Sequence, residues 1–242
     1  MKKFGQAAIA ILILVSAVSL AAGAEDTGKP RLGVLRFTNQ TSAGWWSGSV
    51  ANDLSDMLSS ELRSTKAFVV LERKELDAVM YEQDLSQSDR ISAETKVLMG
   101  KIKGAKFLVA ATVSSYEEQT KQTGGGVSLG GISIGGKKDK TYVAVDLKVV
   151  DTETSEIVDT RTIEAEVGGL GLGGSLSIGN FSIHGDDYKR TPTGKALRAC
   201  IIYISEYLEC SLVKGQDASC MKKWNAMEEK RRARTKGSID IE

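Results

Sequence analysis

The chain has 242 residues, of which 41% are hydrophobic and 26% charged, with 32 Lys and Arg against 31 Asp and Glu. That composition builds one sizeable core with appendages, and the near-neutral balance excludes an electrostatic nucleic-acid footprint. A single histidine, His184, leaves little material for general acid/base or metal chemistry, so neither an enzyme nor a cofactor is expected. The 25 glycines, against 2 prolines, need a structural explanation.

Lys2 and Lys3, the apolar run Ala7 to Leu20 and the small residues Ala22-Gly23-Ala24 before Glu25 read as a cleavable signal peptide over residues 1–24. The run is short for an uncleaved anchor helix. Removing it leaves 30 basic and 31 acidic residues in an exported chain.

Arg31 to Phe37 is a β-prone run, followed by a polar loop that carries Trp45 and Trp46. From Val50 to Thr65 the apolar residues Val50, Leu54, Met57, Leu58 and Leu62 recur at three and four, which predicts an amphipathic helix. Phe68 to Leu71 is the next strand. Leu76, Val79, Met80 and Leu85 predict a second helix, and Val97 to Ile102 closes a third before Gly104 releases the strand Phe107 to Val113. Tyr142 to Val150 and Glu156 to Val167 form a meander around the turn Asp151-Thr152-Glu153-Thr154-Ser155.

Thr191-Pro192-Thr193 starts a helix continued by Ala196, Leu197, Cys200, Ile201, Ile204 and Leu208. Residues 215–242 are a charged helix or tail whose Lys230-Arg231-Arg232-Ala233-Arg234 reads as a solvated end. Of the three cysteines, Cys210 and Cys220 have the spacing of a short disulfide loop; three buried, unbridged thiols fit the sequence equally.

Two inserts interrupt the strands, over about residues 114–141 and 164–190. Val127-Ser128-Leu129-Gly130-Gly131-Ile132-Ser133-Ile134 matches Leu176-Ser177-Ile178-Gly179-Asn180-Phe181-Ser182-Ile183 in character, position by position. Gly130-Gly131 and Gly179-Asn180 are pairs that two-residue hairpin turns favour, since both central positions can require positive φ. Those turns place Val127, Leu129, Ile132 and Ile134 on one face of the first hairpin. They place Leu170, Leu172, Leu176, Ile178, Phe181 and Ile183 on one face of the second, with Ser and Gly behind. The eight steps from Leu170 to Ile178 span roughly 26 Å, close to the apolar band of an outer-membrane barrel. Gly169-x-Gly171-x-x-Gly174 fits a nucleotide-loop spacing, but Ser-Leu-Ser-Ile-Gly follows it in place of a helix. Two hairpins give four strands, too few to close a barrel alone, so a ring-shaped homo-oligomer is expected.

The segments LGVLRFTNQTS (32–42), AFVVLERKELDAVMYEQDLSQS (67–88), GAKFLVAATVSSYEE (104–118), VAVDLKVVDTETSEIV (143–158) and TPTGKALRACI (191–201) resemble the curli production assembly/transport component family, the curli secretion channel of the outer membrane. The resemblance implies an α/β (α+β) periplasmic domain over about residues 25–214, with a mixed sheet flanked by helices and two β-hairpins given to an oligomeric transmembrane barrel. It implies passive export of unfolded protein subunits through the outer membrane, with lipid, those subunits and accessory factors as partners. In the family the loop between the first strand and first helix narrows the pore, which points here to Asn39, Gln40, Trp45 and Trp46; packing of both tryptophans under the domain is the alternative. The chain departs from the pattern in having no cysteine after the cleavage site, a shorter loop and more glycine in its hairpins. The rival reading is a soluble periplasmic protein that uses the same domain to bind an envelope partner.

Overall fold

The computed structural model describes residues 28–122, 128–129, 132–133, 137–170 and 191–238. Its sheet is mixed, as expected, with helices packed on it. The strands β1 (Arg31–Val34), β2 (Thr38–Asn39), β3 (Val69–Leu71), β4 (Phe107–Gln122), β7 (Lys137–Asp151) and β8 (Ile157–Leu170) run in the order β3-β1-β4-β7-β8, with β2 beside β4. The two-residue strands β5 (Ser128–Leu129) and β6 (Ile132–Ser133) pair separately. β1 is parallel to β3 and β4, whereas β4, β7 and β8 are antiparallel.

Alternation makes one sheet face apolar. Val109 and Val113 on β4 face Val149 and Val145 on β7, which are flanked by Ile163 and Ala165 on β8, and all are buried. The other face carries Thr112, Asp146 and Thr162. Gly33 on β1 is needed for close approach, because a Cβ there would lie 2.7 Å from Arg73 Cγ.

The helix α1 (Gly48–Ser64) opens with Ser47, whose Oγ accepts from the Val50 N–H at 3.3 Å. It buries Leu54, Leu58 and Leu62 along one stripe. Buried Ser55 is satisfied, since its Oγ donates to the Ala51 carbonyl at 2.9 Å and accepts from the Phe37 N–H at 3.0 Å. The helix α2 (Leu76–Gln87) buries only Ser86.

Thr191 caps α3 (Pro192–Leu208) by accepting from the Gly194 N–H, with Pro192 at the first turn. α3 packs across β7, β8 and α1 and so closes the core. Its Cys200 is fully buried, which pushes the thiol up to about 12 and leaves it a small hydrophobe without nucleophilic character. A π-helical turn, Glu209–Lys214, continues α3 and ends at Gly215, whose φ is +87°. Cys210 then bonds to Cys220 in α4 (Ser219–Gly237).

Three elements differ from the sequence expectation. Val97–Ile102 is not helical; Ala93–Thr95 forms a single 3₁₀ turn, and Gly100 at φ +74° breaks any helix that would follow. The strands are longer than their apolar cores, because backbone pairing from Phe107↔Asp151 to Gln122↔Lys137 carries polar sequence that has no apolar period. Finally, within the charge run read as a solvated end, Lys230, Arg232, Ala233 and Arg234 are exposed but Arg231 is half-buried on α4.

Candidate membrane strands and the loop at their base

β4, β7 and β8 leave the core as one continuous ribbon. β4 and β7 stay paired to Gln122↔Lys137 and β7 and β8 to Lys138↔Leu170, with a bulge between Val113 and Ser115 where the ribbon departs. The buried residues Thr141, Ala165 and Val167 lie within the spans 114–141 and 164–190 and still belong to the domain. At the same level the other side of the ribbon is charged, with Glu117, Lys140 and Glu166 exposed and Lys140 paired to Glu166, and Glu118 is exposed in register with Thr141.

At the first tip Ser128 pairs with Ser133 and Leu129 with Ile132, the register that a turn at Gly130-Gly131 demands. Gly130, Gly131, Val127 and Ile134 themselves lie outside the described residues. So do Leu172, Leu176, Ile178, Gly179, Asn180, Phe181 and Ile183 of the second tip, together with the signal peptide. Leu170 ends β8.

The loop between β1 and α1 is stitched to the ribbon where it leaves the domain. β2 pairs Thr38 with Thr112 and Asn39 with Val113, and the Gln40 N–H donates to the Val113 carbonyl at 2.9 Å. Asn39 spends its amide inside the loop: Oδ1 accepts from the Thr41 N–H at 2.9 Å and hydroxyl at 2.8 Å, and Nδ2 donates to the Thr41 carbonyl at 3.1 Å. Gln40 is exposed. Trp45 packs edge-on against Tyr116 of β4 at 5.3 Å and Trp46 at 5.8 Å, and both tryptophans are half-buried against the core. Of the four loop residues, Gln40 thus presents an exposed side chain, Asn39 fixes the loop, and Trp45 clamps it to β4 with Trp46 packed beside it.

Sequence reasoning missed Tyr116, whose hydroxyl donates to Glu118 at 2.8 Å and lies 3.4 Å from Thr193 at the start of α3. Its signal was available, since it is the one aromatic between the apolar strand and the polar extension. Arg161 was also missed. Its guanidinium lies 4.6 Å from the Tyr207 ring centre and donates to the Trp224 carbonyl, Asn225 Oδ1 and the Tyr207 hydroxyl. The Tyr207 hydroxyl donates to Asp159 at 2.6 Å, and burial first, then this bond, pushes it up to about 12.

That network holds α4 against the β8 edge, and Arg234 reaches Glu164 on the polar face at 2.9 Å. A groove of about 390 Å³ runs between that face and α4, past Gln40, Asp146 and Arg232. Glu228 accepts from Arg231 and Arg232, and those bonds, Arg231 first, hold its carboxyl down at about 2. Among the described residues no three metal-ligating side chains converge.

The architecture is that of an α+β domain with a strand ribbon extending beyond its own core. Residues 14–239 match the family "Curli production assembly/transport component CsgG", and the chain belongs to that family. It is similar to the curli production assembly/transport components of Escherichia coli K12 and Salmonella typhimurium, with 24% identity over 144 residues, 55% of this chain and 52% of each relative. The chain thus matches about half the length of these curated relatives. Among solved structures it is similar to a hypothetical protein from Chlamydia trachomatis at TM-score 0.44 and 18% identity, covering 77% of this chain and 99% of that one. A PelC dodecamer from Paraburkholderia phytofirmans gives TM-score 0.38 and 10% identity, over 73% and 86%. At those TM-scores neither likeness bears on function.

Proposed function

We propose that this chain is the protomer of a ring-shaped outer-membrane channel that passively secretes unfolded protein subunits of the curli type. The observation that carries the reading is the ribbon β4-β7-β8, which continues from a buried core to Gln122↔Lys137 and Lys138↔Leu170, where the two sequence stretches of alternating apolar and Ser/Gly residues begin. Four such strands per protomer leave unpaired edges in lipid, and only neighbouring copies can pair them. The Ser/Gly face then lines a wet lumen and the apolar face meets lipid. Gln40, on the loop stitched to the ribbon's base, is the side chain best placed to meet a passing backbone, with Asn39, Trp45 and Trp46 holding that loop in shape. The leader over residues 1–24 would deliver the chain across the inner membrane, and no nucleotide chemistry is involved. Secretion is then driven by the substrate gradient.

Envelope fractionation followed by sizing in detergent tests the reading. The expected result is a multimer in the outer-membrane fraction, and Leu172→Arg or Ile178→Arg, each costing about 2–4 kcal/mol at the bilayer midplane, removes it from that fraction. Recovery of the unaltered chain as a soluble periplasmic monomer overturns the channel in favour of an envelope-binding domain.

A further inference from the structure

Beyond Glu166 the ribbon turns basic. From Gln119↔Lys140 to Gln122↔Lys137 its paired levels hold Lys121, Lys137, Lys138 and Lys140 against Asp139, and Lys140 is already paired to Glu166. Lys121 stands directly opposite Lys138, and Lys138 opposite Leu170. Like charges directly opposite destabilise a strand pair, and a shared anion removes that cost. Register partners share a face, so both lysines lie on the face of Leu170, the first residue of the apolar side of the second hairpin. A lysine pair thus stands where the charged ribbon gives way to the apolar stretch.

A second basic surface converges on the same face. α4 climbs alongside β8: Arg161 holds the Trp224 carbonyl, Arg234 reaches Glu164, and Thr235 and Ser238 line a hollow with Lys140, Tyr142 and Glu166. Glu164 and Glu166 share the alternate positions of β8 with Leu170, so the helix ends below Leu170 on the side where Lys121 and Lys138 stand. From Lys230 to Ser238 it carries Lys230, Arg231, Arg232, Arg234 and Lys236 and no acid, and all of these but Arg231 are exposed. The negative end of the helix dipole accounts for Arg234 and Lys236 in the last turn, and not for the lysine pair on the strands. From Glu166 to Leu170 is roughly 13 Å of strand, and about 10 Å along the membrane normal at the tilt of a barrel strand. That is close to one Debye length, near enough for a charged lipid surface to act on the helix end.

We infer that Lys121 and Lys138, together with the basic end of α4, form a contact surface for the anionic phospholipid headgroups of the leaflet that the ribbon enters. On the channel reading proposed above, this surface gives the ring an electrostatic hold on its membrane at the water boundary, where long lysine side chains reach phosphate oxygens while their stems stay against apolar surface. Position selects this occupant over an acidic secreted chain, which would pass along the Ser/Gly face, whereas these residues share the face of Leu170.

The test offers the full chain, purified in detergent, to vesicles of phosphatidylcholine with or without phosphatidylglycerol, and reads insertion as co-flotation that survives a carbonate wash. The expected result is about tenfold or more insertion in favour of phosphatidylglycerol, a preference that high salt removes. Lys121→Gln, Lys138→Gln, Lys230→Gln and Lys236→Gln combined should abolish the preference while leaving insertion into phosphatidylcholine unchanged, whereas Lys121→Arg, Lys138→Arg, Lys230→Arg and Lys236→Arg should keep it. Lys230→Gln with Lys236→Gln alone, at exposed positions, should already cut the preference about fivefold or more, and no cut overturns the part given to α4. Equal insertion of the unaltered chain into both vesicles overturns the inference and leaves the channel standing. So does a preference that survives in the fourfold glutamine variant; if that variant has instead lost binding of a poly-glutamate peptide, the lysines serve an acidic chain. An unaltered chain that enters neither vesicle removes the channel and the headgroup surface together.

Discussion

At the β8 edge of the sheet, α4 is bound by the Cys210–Cys220 disulfide, by Arg161 reaching Trp224 and Asn225, and by Arg234 on Glu164. At the β3 edge, α2 has a root tied by Lys74 and Arg73 and no buried apolar side chain. Hydrophobic pattern does not explain the difference. α4 is the more polar helix, yet it is held by the chain itself; α2 shows apolar residues at helical spacing, yet Val79 and Met80 among them lie in water and Leu76 and Leu85 are only half-buried. A helix's own amphipathic signal says that a face needs covering, and not whether the cover comes from the same chain.

The largest expected effect separates helices that use their stripes from the one that does not. Leu54→Ala in α1, at 0% exposure, should cost about 2–5 kcal/mol in urea unfolding, while Val79→Ala in α2 should stay within about 0.5 kcal/mol for the isolated protomer. Equal losses would show that α2 is packed after all.

Next comes Cys220→Ser, which opens a short loop at the β8 edge and should cost about 2–3 kcal/mol, read as a lower urea midpoint together with looser Trp224 fluorescence. A midpoint unchanged from the parent would mean that Arg161 and Arg234 fasten α4 without the disulfide.

The smallest effect is on pH. Glu228 is ionised down to about 2 in the folded chain, below its ordinary value of 4.5. Its bonds to Arg231 and Arg232 therefore contribute fully above about pH 4.5 and are lost as pH falls from there toward about 2. Glu228→Gln should flatten the acid limb of stability in that window. An unaltered acid limb would place the acid sensitivity of the β8 edge elsewhere.

Much of the fold was legible because it is local. The stripe Leu54, Leu58, Leu62 gave α1, Thr191-Pro192 gave the start of α3, and the Asp151 to Ser155 turn gave the β7–β8 meander, since each depends on neighbours within a few residues. The register at the first tip followed from Gly130-Gly131 for the same reason. Val97–Ile102 misled because four apolar residues in six imitate a helix end, and Gly100 settles into a left-handed conformation that no composition reveals. At the candidate site the family resemblance pointed to the loop but not to what its residues do. Asn39, Trp45 and Trp46 read alike as pore candidates until Thr41 and Tyr116 were brought beside them.

By itself, then, the sequence determined the elements with short-range causes, namely the capped helices, the alternating strands and the repeated hairpin motif. The tertiary structure alone decided the order β3-β1-β4-β7-β8, the half-burial of Arg231 beside Glu228 and the clamp of Trp45 on Tyr116. Those depend on contacts between residues tens of positions apart, where chain entropy opposes the meeting and only the packed core as a whole favours it.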